Sequence, residues 1–242
     1  MQAREFNALG QELGALVPNW SAPTRPDKSS LEGRFCVLEK LDAQRHGPAL
    51  FAANEQDREG RMWTYLPHGP FASYDEYYEW LLGAEHSQDP WFYAICARSS
   101  GRALGLASYL RITPDAGSIE VGALVFSPSL QRTTQATEAM VLMMERAFAW
   151  GYRRYEWKCD NLNQPSKKAA LRLGFRHEGV FRQATVVKGR NRDSAWYAVT
   201  DQEWPALRDK FAVWLAPENF APDGRARLRL SDLTCVDELV DC

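Results

Sequence analysis

Two helix-opening segments carry the chemistry legible in this sequence. Gln131-Arg132-Thr133-Thr134-Gln135-Ala136-Thr137 follows one strand-like run, and Asn163-Gln164-Pro165-Ser166 follows another and leads to Leu173-Gly174-Phe175. The first turn of a helix presents backbone N–H groups without intrahelical partners at the positive end of the helix dipole. Each opening is therefore a place for an anion, and two of them suit a long, thin ligand with an anionic end. The competing reading of the first is an ordinary threonine-capped helix start, and of the second an asparagine cap followed by a polar first turn.

The flanking patterns supply the elements that must hold these openings. Ser118 to Phe126 alternates Ile119, Val121, Ala123 and Val125 with Glu120, Gly122, Leu124 and Phe126, a strand with two different faces. From Gln135 the apolar period becomes helical through Ala136, Ala139, Met140, Met143, Met144 and Ala147, and Gly151 suits the helix end. Arg154 to Cys159 reads as a strand with Tyr155, Trp157 and Cys159 on one face, Asn163 as an N-cap, and Pro165 as a first-turn proline. Earlier, the pattern predicts a strand over 34–41, a helix from the cap Asp42 to about Asn54, an irregular segment 60–70, a helix capped by Ser73, and strands over 91–97 and 103–112. Later it predicts a hairpin, 175–187 with 194–200, whose basic tip 188–193 reads chiefly as solvated and otherwise as attracting an acidic acceptor, a helix capped by Asp201 reaching Trp214, and a short strand over 227–230. Hairpins first and alternating helices and strands later imply an α/β (mixed α+β) architecture: a central mixed, mainly antiparallel sheet with helices on both faces. The expected division is an N-terminal arm over 1–30, anchored by Val17 and Trp20, a domain over 31–205, and a helix end and tail over 206–242 packing on it.

Strand, loop, long helix, strand, Asn-x-x-Ser, short helix and Leu-Gly-Phe in that order resemble the GNAT superfamily of N-acetyltransferases, and within it the RimJ/RimL type that acetylates N-terminal amines of ribosomal proteins. The resemblance covers roughly residues 31–205. The family's phosphate motif is Gln/Arg-x-x-Gly-x-Gly/Ala; Gln131, Thr134 and Ala136 stand at its defined places, with threonine where glycine is usual. The resemblance implies acetyl-CoA as co-substrate and no metal. Backbone N–H groups of Arg132, Thr134, Ala136 and Thr137 would face the pyrophosphate. Asn163 would bond the pantetheine amide, Ser166 would give a proton to the departing thiolate, and an N–H of the strand near Leu124 to Phe126 would polarise the thioester carbonyl.

Glu120 is the first candidate for the base that frees the amine, with a cross-strand ion pair as the competing reading; Glu156, paired with Lys158 on a solvated strand face, is the second. Trp63 and Tyr65 are expected to line the acceptor cleft, against core packing as the alternative. The resemblance implies a primary amine as acceptor: a protein N-terminus, an amino acid or aminoacyl compound, or an amine toxin. A catalytically weak acyl-CoA sensor is the alternative from another class.

Composition bounds the rest. The 242 residues are 45% hydrophobic and 25% charged with a formal net charge of −2, so bulk charge does not propose a nucleic-acid partner. No apolar run approaches the ~18 residues of a membrane helix, and no signal-peptide pattern opens the chain. The expectation is a cytoplasmic monomer or homodimer. Five cysteines and four histidines are dispersed, which argues against structural zinc and a disulfide framework.

Overall fold

The structure, a computed structural model, describes residues 4–234. A small hairpin of β1 (Glu5–Phe6) and β2 (Glu12–Leu13) precedes the main body. The main sheet contains β3 (Leu31–Glu32), β4 (Cys36–Lys40), β5 (Trp91–Ala97), β6 (Ala103–Thr113), β7 (Ser118–Phe126), β8 (Arg154–Asp160), β9 (Arg176–Val187) and β10 (Arg190–Thr200). Helices α1 (Ala43–Asn54) and α2 (Tyr74–His86) fall between β4 and β5, α3 (Thr134–Ala149) between β7 and β8, and α4 (Gln164–Arg172) between β8 and β9; α5 (Trp204–Leu215) and α6 (Leu230–Thr234) follow β10. The spatial order is β3-β4-β5-β6-β7-β8-β10-β9. Every pairing is antiparallel except β7 with β8, which α3 joins as a crossover.

The expected architecture is present, with helices on both faces. All seven residues of β5 are buried. Trp91, Tyr93 and Ile95 enter a core shared with α3 and α5, while Phe92, Ala94 and Cys96 enter one shared with α1 and α2. Burial on both faces explains why β5 reads as a continuous apolar run.

Asp42 accepts from Arg45 N–H at 2.8 Å and Ser73 from Glu76 N–H at 3.2 Å, as N-caps of α1 and α2. Within α3, the buried Glu138 accepts the N–H groups of Arg34, Phe35 and Cys36 at 2.8, 2.7 and 2.8 Å. These charge-assisted bonds seat the β3–β4 turn on the helix. A Cβ on Gly33 would stand 2.4 Å from Glu138 Oε2, which is why the turn carries glycine there.

Three local expectations are corrected. α5 begins at Trp204 rather than after Asp201, because Glu203 turns back to accept Thr200 N–H at 2.8 Å and Pro205 occupies the first turn. Residues 227–230 form no strand: Phe220 and Ala226 make a single bridge, Leu228 O accepts Trp214 Nε1–H at 3.0 Å, and α6 starts at Leu230. In the N-terminal arm, Trp20 packs on Gly117 and Arg153, and Pro23 and Pro26 are buried, whereas Val17 stays exposed. No helix among the described residues is long and apolar enough to cross a membrane. Cys36, Cys96 and Cys159 are free and buried, and Cys235 and Cys242 lie outside the described residues.

Candidate active site

β7 and β8 pair only from Ser118 to Val121 against Arg154 to Trp157. Beyond that point they splay, and backbone groups on the facing edges lose their ladder partners. Opposite β6, Gly122 pairs with Ser108 and Val125 with Leu106, so Ala123 and Leu124 face the single residue Ala107; Ala123 takes φ 47°. Such a bulge bends the strand and re-aims its backbone. A cleft of about 590 Å³ opens here, lined by Leu124 and Glu120 of β7, Trp157 and Lys158 of β8, and Asn163 and Ser166 of α4.

Past the cleft, β7 leads through Phe126 into the start of α3. Gln131 Nε2 donates to Phe126 O at 2.8 Å and so holds the connecting loop closed. Thr133 is the N-cap, accepting Ala136 N–H at 3.1 Å, and its carbonyl accepts Thr137 N–H at 3.3 Å. Among the described residues, the N–H groups of Arg132, Thr133, Thr134 and Gln135 have no partner. The donor row therefore sits one to two residues earlier than expected: Arg132 and Thr134 belong to it, while Ala136 and Thr137 are already engaged inside the helix. The positive φ that glycine would favour falls on Arg132, at 61°, not on Thr134. Thr134 begins the helix proper, where a β-carbon is no obstacle.

At the second opening, Asn163 Oδ1 accepts Ser166 N–H at 3.2 Å. Ser166 Oγ accepts the indole N–H of Trp157 at 3.0 Å, so its own proton is left to donate, with the Cys159 sulfur as a neighbour in the wall. Cys159 lines the same wall, and burial pushes its thiol pKa up. Arg172, at the end of α4, donates to Thr137 Oγ1 at 3.2 Å, and among the described residues no carboxylate pairs with it. It places a cation against the first turns of α3.

A chain of ion pairs runs from the cleft wall along β8. Arg111 meets both oxygens of Glu120 at 2.8 and 2.7 Å, Lys158 Nζ lies 3.0 Å from Glu120 and 2.7 Å from Glu156, and Arg154 joins Glu156 at 2.7 Å and also pairs with Glu178. Lys158 also sits 3.6 Å from the centre of the Trp196 ring. The cross-strand ion-pair reading of Glu120 is thus present in the geometry. Burial raises its pKa, while Arg111 and Lys158 oppose that rise. Glu156 and Lys158 do pair along one strand face, but that face is buried rather than solvated.

Trp63 is 5% exposed, packs on Phe71 and His68, and does not line the cleft; the core-packing reading holds for it. Tyr65 does line the cleft, and its hydroxyl donates to Leu162 O at 3.3 Å. The hairpin tip is not wholly solvated: Lys188 Nζ donates to Trp63 O at 2.9 Å and Gly69 O at 2.7 Å, clamping the 63–69 loop. His68, tilted against Trp80 with ring centres 4.3 Å apart in the cleft wall, has its pKa lowered to about 4, first by burial and then by Lys188.

Elsewhere, Glu39, His46 and Cys96 bring potential metal ligands within 4.8 Å of one another. His46 Nδ1 accepts Asp42 N–H at 3.1 Å, so Nε2 carries the proton and faces Glu39 at 3.0 Å. Both ring nitrogens serve the start of α1, a hydrogen-bonding role rather than a ligand's.

Residues 37–176, from β4 to the first residue of β9, match the family model for the acetyltransferase (GNAT) domain. The chain belongs to the GNAT acetyltransferase family. A GCN5-related N-acetyltransferase from Brucella melitensis is 45% identical, with a TM-score of 0.87 over 90% of this chain and 99% of that one. A GNAT-family protein from Chromobacterium violaceum is 41% identical, with a TM-score of 0.76 over 80% of this chain and 97% of that one. An acetyltransferase from Salmonella typhimurium, described as modifying the N-terminal serine of the 50S ribosomal subunit protein L7/L12, shares the fold at 22% identity, with a TM-score of 0.61 over 71% of this chain and 99% of its own.

Trp157, Arg172 and Arg192 are groups at the two openings and the cleft to which the sequence assigned no individual role. Trp157 had a signal: it alternates with Tyr155 and Cys159 on the β8 face that turns toward α4. Arg192 stands in the basic 188–193 segment, while Arg172 had no signal, because it reaches its place by a tertiary approach.

Proposed function

We propose that this GNAT protein transfers the acetyl group of acetyl-CoA directly to a primary amine, with Ser166 as proton donor to the departing thiolate. The observation that carries the reading is a pair of donor sites without protein acceptors among the described residues, one at the start of α3 and one at the β7–β8 splay. Four backbone N–H groups open at the start of α3, and a serine hydroxyl opens into the β7–β8 splay. They suit the pyrophosphate end and the thioester end of one extended ligand.

In this reading, Arg132, Thr134 and their neighbours bind the pyrophosphate through the backbone, with the Arg172 guanidinium alongside. Gln131 shapes the loop, while Ala136 and Thr137 carry the helix that holds it. Asn163 orients the first turn of α4 and lies against the pantetheine. The backbone from Leu124 to Phe126, re-aimed by the bulge at Ala123 and Leu124, supports the negative charge developing on the carbonyl oxygen. Acetyl-CoA supplies the activated acyl group. A thiol with a pKa near ~8.5 needs only modest help to leave, which a positioned hydroxyl provides.

Glu120 has both oxygens committed to Arg111 and Lys158. We assign it the role of holding those cations in the cleft wall rather than that of base. The amine then loses its proton to water in the cleft. Tyr65 forms part of the acceptor wall. Among acceptors, the ribosomal-protein N-terminus implied by the RimJ/RimL resemblance is one member of the amine class. No observation favours a sensor without turnover.

The test is a screen of amines and peptides with acetyl-CoA, read by thiol release and product mass, together with calorimetric binding of coenzyme A. Tight coenzyme A binding with no transfer to any amine would leave the sensor reading standing. Failure to bind coenzyme A would remove both.

A further inference from the structure

Among the described residues, the arginine and lysine side chains that line the cleft are Arg111 and Lys158, both ion-paired, and Arg192, which is not. Arg111, Lys158 and Arg154 alternate with Glu120, Glu156 and Glu178, so three cations meet three carboxylates. Arg192, on β10, lines the same cleft as Ser166 and Leu124. Among the described residues no carboxylate lies within salt-bridge reach of it, and its Nε is sealed from solvent without a hydrogen-bond partner.

Nearby acids are used elsewhere. Asp193 accepts Gln183 N–H at 2.7 Å and the Asn191 side-chain amide at 3.0 Å. Asp160, also in the cleft wall, accepts Leu162 N–H at 2.9 Å. Glu79, the remaining acid of the lining, is exposed on α2.

Trp196 stands opposite Lys158 in the β8–β10 register, and Arg192 lies four residues before it on the same face of β10. The free guanidinium therefore shares a sheet face with Glu120 and Lys158, the face turned toward α2. Nε shares this state with Trp196 Nε1 and other sealed polar atoms; what sets Arg192 apart is a full charge in the cleft wall whose two terminal nitrogens are not sealed. The planar fork of arginine fits a carboxylate or a phosphate with two parallel bonds, which a committed Lys158 or Arg111 cannot offer.

We propose that Arg192 recognises an anionic group on the acceptor, so that the amine this enzyme acetylates carries its own carboxylate or phosphate. The inference rests on the acetyl-transfer reading of the same cleft. The aromatic and aliphatic wall of Trp80, Phe92 and Leu66 takes the body of the acceptor. Arg192 draws the anion to the β10 side, and the amine is left facing the bulged segment of β7 and Ser166. The reaction gains specificity because an amine without the anion leaves the guanidinium unpaired in the cleft.

The experiment uses matched probes: L-amino acids against their carboxamides, and O-phosphoethanolamine against ethanolamine. Transfer from acetyl-CoA is read by thiol release, and binding by calorimetry on protein saturated with coenzyme A. The expected result is a preference of about tenfold or more in kcat/KM for the anionic member of a pair, and the two arms tell carboxylate from phosphate. Arg192→Gln should abolish that preference by raising KM for the anionic probes, with coenzyme A affinity and kcat nearly unchanged. Arg192→Glu should shift the preference toward diamines. Equal handling of both members of each pair by the wild-type protein, including binding of neither, overturns the proposal. So does a preference that survives Arg192→Gln, or a kcat loss equal for all amines, which would place Arg192 at the leaving sulfur instead. Wild-type protein that fails to bind coenzyme A marks failure of the acetyl-transfer reading itself.

Discussion

The indole N–H of Trp157 donates to Ser166 Oγ at 3.0 Å, joining the middle of β8 to the first turn of α4. A hydrogen bond received at Oγ fixes the hydroxyl and makes its own proton easier to share. If Ser166 protonates the thiolate, Ser166→Ala lowers kcat about 10²-fold with little change in coenzyme A affinity. Trp157→Phe, which keeps the packing against Phe175 but removes the donor, lowers kcat by a smaller factor, about three- to tenfold. Wild-type turnover in Ser166→Ala would reduce the residue to a helix-start serine.

Thr134→Asp separates binding from folding at the start of α3. A carboxylate in the first turn complements the helix dipole, so the melting temperature should hold or rise by a few degrees. The same carboxylate repels a pyrophosphate at the free N–H groups of 132–135, so coenzyme A affinity should fall at least about tenfold. Calorimetry and a melting curve on one sample decide it; unchanged affinity would place the phosphate elsewhere.

Glu120→Gln removes a buried carboxylate from between Arg111 and Lys158. Leaving two cations less well compensated should destabilise the protein by about 3 kcal/mol, read from urea midpoints. Since the carboxylate is assigned no base role, kcat/KM of the variant should keep the wild-type rise with pH, which follows deprotonation of the amine itself. Loss of that limb in the variant would restore Glu120 as the base.

His68 makes stability pH-dependent. Its pKa in the folded protein is about 4 against an ordinary 6.5, because burial and Lys188 disfavour the imidazolium. Between those pH values the unfolded chain binds a proton that the folded chain does not, so stability rises with pH across the window. It is lost as pH falls from 6.5 toward 4, by at most about 3 kcal/mol and less to the extent that solvent reaches the ring. Denaturation across that window should show a shallower slope for His68→Phe than for the wild type; identical slopes would reject the assignment.

Trp63 and Tyr65 should part company on mutation. Trp63→Ala empties a core site and should cost about 3–5 kcal/mol of stability, with parallel losses for acceptor and cofactor. Tyr65→Phe removes only the bond to Leu162 O and should leave stability within about 1 kcal/mol while raising the acceptor KM. The melting temperature and both KM values of each variant check the split.

Sequence alone determined the elements whose signals are local. A continuous apolar run marked β5 and alternation marked β7, both to the residue, and Asp42, Ser73 and Asn163 declared their helices because a cap acts on the next three residues. The order of those elements with Asn163, Ser166 and Leu173-Gly174-Phe175 was enough to point to the family. The tertiary structure alone decided which groups are spent and which are free. The same alternation that placed Glu156 and Lys158 on one face could not say that the face is buried, because burial depends on what packs over it. Glu120 became an ion-pair hub only when β6 and β8 brought Arg111 and Lys158 to it. Trp63 went into the core because Lys188, some 125 positions away in sequence, clamps the loop that carries it. Arg192 stands unpaired because neighbouring acids bond backbone and side-chain amides instead. Such contacts are set by chain segments distant in sequence, and no local pattern of residues encodes them.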